Sequence, residues 1–119
     1  MPQRKESGEI LRLMERKLME LTRKNTEVQE LHEAWADAER NYNIEYAKKL
    51  LLLRSESEPV TLVKDLAKGD KFVADLYFKM RVAEGVRNAC RGSIKTLLSA
   101  IDKLRSELSY LKQEMGQTR

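Results

Sequence analysis

The chain has 119 residues, of which 41% are hydrophobic, 35% charged and only 6% aromatic, with a formal net charge of +4. That balance suits long amphipathic helices better than a broad globular core. No run of eighteen apolar residues exists and Met1-Pro2-Gln3-Arg4-Lys5-Glu6 lacks an apolar signal stretch, so neither membrane spanning nor secretion is expected and the expected location is the cytoplasm.

The first predicted element is a helix over about residues 8–54. Ile10, Met14, Leu18, Leu21, Val28, Leu31, Trp35, Ala38, Tyr42, Tyr46, Leu50 and Leu53 recur at helical spacing with no proline among them. Lys24 and Asn25 stand where an apolar residue is due, a weak point that can specify alignment. Ser55-Glu56-Ser57-Glu58-Pro59 ends the helix, because proline disfavours helical geometry in the residue before it and short polar side chains compete for the backbone. Next comes a short helix, Leu62 to Lys68, which Thr61 is placed to cap and whose Val63 and Leu66 can cover the end of the structure. Gly69 suits a left-handed stop, and Asp70 can cap the next helix.

A second long helix follows, over about residues 71–115, and it carries the strongest pattern in the chain. Val73, Leu76, Met80, Ala83, Arg87, Cys90, Ile94, Leu97, Ile101, Leu104, Leu108, Leu111 and Met115 alternate in steps of three and four, and Arg87 alone among them is not apolar. These side chains share one stripe, which must be covered by another helix. Cys90, the only cysteine, sits on that stripe as a small packing residue. Helices of these spans are each about 65 to 70 Å long. Their near equality predicts an all-α, coiled-coil-like antiparallel hairpin with a short connecting helix, forming a single domain over residues 1–119.

Folding such a hairpin about residue 62 sets side by side positions whose numbers add to about 125. Glu30 then lies beside Lys95, Glu33 near Arg91 and Asp37 near Arg87, so opposite charges occupy matching levels. Trp35 falls level with Cys90 and close to Gly85, Ala89 and Gly92, which leave room for its ring. Trp35, Cys90, Ile94, Leu97, Ile101 and Leu104 are therefore the expected packing residues of the hairpin. Tyr42, Tyr46, Leu51, Leu52, Phe72, Tyr77, Phe78, Val82, Val86 and Leu98 leave apolar surface beside the seam. Self-association into a helical bundle, a dimer in the simplest case, is the expected cover.

Motifs for catalysis are wanting. There is no phosphate-binding glycine loop, no dinucleotide fingerprint and no cysteine pair for zinc, and His32 has no second histidine at ligand spacing. Glu30, Glu33 and Asp37 lack the Glu-x-x-His pattern of helical carboxylate metal sites and read as a solvated or salt-bridged face. No enzymatic activity, metal or cofactor is expected. Nucleic acid is the partner the charge suggests. Arg87, Arg91, Lys95 and Lys103 follow one side of the second helix, while Arg4, Lys5, Arg12, Arg16, Lys17, Arg23 and Lys24 meet Lys103, Arg105, Lys112 and Arg119 at the termini.

The stretch Tyr42-Asn43-Ile44-Glu45-Tyr46-Ala47-Lys48-Lys49, the segment Val60 to Ala67 and the ending from Leu104 to Met115 resemble small helical proteins encoded by bacteriophages and prophages, often near recombination or replication genes. The resemblance covers about the last two thirds of the chain. It implies a phage accessory protein in the host cytoplasm, and it brings no catalytic residues. Two functions are thus expected, in order: an oligomeric helical interaction or scaffold protein, and a nucleic-acid-binding accessory factor using Arg12, Arg16, Lys17, Arg87, Arg91, Lys95 and Lys112.

Overall fold

The computed structural model describes residues 6–117. Three helices account for nearly all of them: α1 (Ser7–Ser55), α2 (Val60–Gly69) and α3 (Lys71–Gln117). They form an all-α helical hairpin with α1 and α3 as arms and α2 as the connecting helix. The periodicity therefore located both long helices to within a residue or two. Contacts gather into two compact units, one from the described parts of Met1–Val28 and Cys90–Arg119, the other from Gln29–Ala89.

In the first unit Ile10, Cys90, Leu97, Ile101 and Leu104 are buried, with Met14, Leu21, Val28, Ile94, Leu108 and Leu111 half-buried. Two expected seam residues fall elsewhere. Leu18 is 46% exposed and Met115 64% exposed. Counting back from Leu21 in steps of four and three reaches Lys17 and then Met14. Lys17 is the half-buried residue there, its aliphatic stem long enough to lie along a seam while its ammonium reaches water. Lys24 does the same one step on, half-buried and paired with Glu27 at 3.3 Å. The thiol of Cys90 approaches the carbonyl of Lys24 at 3.7 Å, so Cys90 is a packing residue with a weak acceptor to face.

The second unit is closed by α2. Leu53, Val63 and Ala67 make its core, with Tyr46 and Leu50 packed against them, and Val73 is also buried. Ala67, fully buried with Val63 against Leu53, takes the place expected of Leu66, which is 43% exposed. Tyr42 stacks on Tyr46 with centroids 5.7 Å apart and meets Tyr77 across the hairpin at 5.3 Å. Burial, followed by the neighbouring phenols Tyr46 and Tyr77, pushes the Tyr42 hydroxyl above its ordinary pKa.

The turns depart from expectation in an instructive way. α1 ends in a Schellman motif, with the Glu58 amide donating to the Leu53 carbonyl at 3.2 Å and the Ser57 amide to the Arg54 carbonyl at 3.2 Å. Ser57 is the residue with positive φ, 61°. Thr61 lies inside α2 rather than capping it. The helix starts at Val60 behind Pro59, whose carbonyl accepts from the Leu62 amide at 2.9 Å. No side-chain cap closes this end of α2, and the Pro59 carbonyl makes its first backbone bond. Gly69 keeps ordinary helical φ, and the chain turns instead at extended Asp70, φ −62° and ψ 130°. Asp70 caps α3 as expected, accepting from the Val73 amide at 3.1 Å, and it also pairs with Lys49 of α1 at 3.4 Å.

Two predictions follow from this geometry. A serine in the left-handed region is strained by about 1 kcal/mol relative to glycine, so Ser57→Gly raises the urea midpoint by an equivalent amount without changing its slope. The Val73 amide, opposed by desolvation and aided by the Lys49 ammonium, holds the Asp70 carboxyl below its ordinary pKa. Its contribution to stability is therefore present above the unfolded carboxylate pKa of about 4 and is lost as pH falls through the lower folded value. Asp70→Asn flattens the acid limb of a stability-against-pH curve, and an unchanged acid limb in that variant contradicts the assignment.

Candidate protein-interaction surface

The middle of the hairpin is organised by one contact that spacing did not reveal. Arg87, the charged member of the α3 stripe, is half-buried, and its guanidinium carbon lies 4.4 Å from the centroid of the Trp35 ring. His32, one turn before Trp35, meets the same ring edge-on at 5.8 Å and 76°. A guanidinium over an indole face contributes about 0.5 to 2 kcal/mol, more as it is desolvated. Trp35 Nε1 and Arg87 Nε are buried and without a hydrogen-bond acceptor among the described residues. Arg87 thus packs as a flat cation on an aromatic face, and Trp35 is a packing anchor as expected.

This contact corrects the register. Facing residue numbers add to 122 for Trp35 and Arg87 and to 119 for Tyr42 with Tyr77 and Lys49 with Asp70, against the expected value of about 125. In the other unit Lys24 and Cys90 add to 114. Cys90 therefore faces Lys24, not Trp35. Asp37 does not reach Arg87 and pairs with Arg40 on its own helix at 3.1 Å. Exposed ion pairs are worth too little to set alignment against ring and aliphatic packing. Glu30 and Glu33 belong to one unit, Arg91 and Lys95 to the other, and all four are exposed. A Cβ placed on Gly85 or Gly92 meets nothing within 4 Å, so neither glycine is there to make room for a ring.

The basic candidates divide into two groups. Arg12, Arg16, Arg91, Lys95 and Lys112 are exposed, while Lys17 and Arg87 are half-buried on the seam and do not form part of an open phosphate-binding stripe. Local acids neutralise several neighbouring cations, as Glu27 does Lys24 and Asp102 does Arg105 at 3.5 Å. Arg4, Lys5 and Arg119 lie outside the described residues. Of the packing candidates, Cys90, Leu97, Ile101 and Leu104 are buried and Trp35 and Ile94 half-buried.

The exposed apolar side chains are the more concentrated feature. In the Gln29–Ala89 unit, Leu51 is 68%, Val60 78%, Phe72 58% and Phe78 67% exposed, with Leu52, Leu62, Leu66, Tyr77, Val82 and Val86 also open. They come from the end of α1, from α2 and from the start of α3. A groove of about 450 Å³ lies beside Trp35, lined by His32, Trp35, Ala36, Glu39, Arg40, Asn43 and Ile44. Among the described residues no three His, Cys, Asp or Glu side chains gather to hold a metal, and no helix is long and apolar enough to cross a membrane. No protein-family model, curated protein or solved structure matches the chain.

The two arginines of α3 one turn apart have different expected fates. Arg87→Glu places a carboxylate against the electron-rich indole face and lowers stability by about 2 kcal/mol or more. Arg91→Glu, at an exposed site, stays within about 0.5 kcal/mol of the parent. Urea unfolding of both variants followed by tryptophan fluorescence checks the pair, and equal losses contradict the stacking assignment.

Proposed function

We propose that this protein is a non-enzymatic helical interaction module that acts by presenting apolar side chains of its hairpin to other proteins. The observation that carries the reading is the exposure of Leu51, Val60, Phe72 and Phe78, together with Leu62 and Leu66 on α2. A soluble monomer rarely leaves a contiguous apolar patch larger than a few hundred Å². α2 strengthens the case because its apolar face is wider than its site on the hairpin: Val63 and Ala67 fill the core and Leu62 and Leu66 are left over. The resemblance to small phage-encoded helical proteins directs the search for partners to neighbouring gene products.

Nucleic-acid binding through Arg12, Arg16, Arg91, Lys95 and Lys112 is the competing function, and one pair of measurements separates the two. A photo-crosslinking residue at Leu62 or Phe72 is expected to give discrete protein adducts in the cells that make this chain. Labelled single- and double-stranded DNA is expected to gain no anisotropy with purified protein at low salt. DNA binding that collapses between about 50 and 200 mM salt, is lost in Arg12→Glu, Arg16→Glu and Lys112→Glu, and comes without protein adducts overturns the interaction reading.

A further inference from the structure

The middle of α3 is held less firmly than its ends. Between Val73 and Cys90 none of its side chains is fully buried, whereas Leu97, Ile101 and Leu104 are buried further on. Cys90 is the smallest of the buried seam residues of α3, so it anchors the helix with little apolar area. Gly85 and Gly92 stand two turns apart in this stretch, both with ordinary helical φ. Glycine is less favourable than alanine there because it gives up more backbone freedom. A Cβ at either position meets nothing within 4 Å, so no neighbouring group requires a glycine. The Thr96 hydroxyl donates to the Gly92 carbonyl at 3.1 Å and competes for an acceptor of the helix ladder.

Between the two glycines, Arg87 adds an unmet demand. Its guanidinium carbon lies 4.4 Å from the Trp35 ring centroid, yet Arg87 Nε and Trp35 Nε1 are buried donors with no acceptor among the described residues. Glu84 pairs with Arg81 and Asp37 with Arg40, each at 3.1 Å, so neither carboxylate answers Arg87. A buried donor without an acceptor has given up its hydrogen bond to water and gained none in return. Opening of the helix returns water to both. The closed middle thus rests on one ring contact, a small thiol and half-buried side chains, against two glycines and two unmet donors.

We propose that α3 opens locally over residues 85–92 while its ends stay packed, and that the opening uncovers the face of Trp35 on which Arg87 rests. Closed, Arg87 covers the ring of the chain's one tryptophan. Open, that ring meets solvent on the covered face as well as along the groove it shares with His32, Ala36 and Asn43. The device operates whether or not the apolar end of the hairpin meets a partner.

Native-state hydrogen exchange on the full chain tests it, read residue by residue at urea concentrations below the unfolding transition. With intrinsic rates divided out, amides of residues 87–92 are expected to exchange at least about ten-fold faster than those of residues 97–104. Their rates change little with urea, because a local opening exposes little new surface. Gly85→Ala and Gly92→Ala each slow these amides about five-fold, the equivalent of about 1 kcal/mol. Both variants keep the fold, since the added methyl meets open space. The Trp35 indole proton, the one signal of its kind in the chain, slows in step with them. Equal protection of residues 87–92 and 97–104, an equally steep urea dependence in the two stretches, or an indole proton that keeps its parent rate in both variants overturns the proposal.

Discussion

A helix of 49 residues that is apolar along one stripe is stable only if that stripe is covered, and here each long helix covers the other. The two arms of the hairpin exist because of that mutual burial. Its demands explain the charged residues that interrupt it. Lys17 and Lys24 occupy seam positions with aliphatic stems, and Arg87 does so with its guanidinium carbon over the Trp35 ring at 4.4 Å. Each lays the apolar or aromatic-facing part of its side chain along the seam.

The connection is built to hold the arms at one alignment. A Schellman ending with left-handed Ser57, a proline start for α2 and the Asp70 cap on α3 together satisfy backbone groups that the helix ends leave open. Asp70 also reaches back to Lys49, and Tyr77 to Tyr42, so the turn end carries contacts between arms as well as within them. Below it, α2 inserts Val63 and Ala67 against Leu53. Closing the core with so short a helix leaves its flanking leucines, Leu62 and Leu66, in solvent.

The same economy shapes α3. A helix that buries one stripe and leaves Phe78, Val82 and Val86 open has more apolar surface than a two-helix hairpin can use. Gly85 among them weakens the isolated helix and leaves a flat place on its outer face.

Much of this was legible in the residues themselves. Steps of three and four mark side chains on one face whatever the partner is, so the spans of α1 and α3, the burial of Cys90, Leu97, Ile101 and Leu104, and the stop before Pro59 could be read locally. Capping by Asp70 was legible for the same reason, since it depends on a side chain and an amide three residues apart. Tertiary structure decided what depends on the facing helix. The register near 119 to 122 follows from how Tyr42, Tyr77, Trp35 and Arg87 fit together, and exposed charges too weak to compete with that packing pointed elsewhere. So did the choice of Ser57 over Gly69 for the left-handed residue and of Ala67 over Leu66 for the core. A single helix's pattern shows which face must be buried, but only the second helix determines which residue meets which.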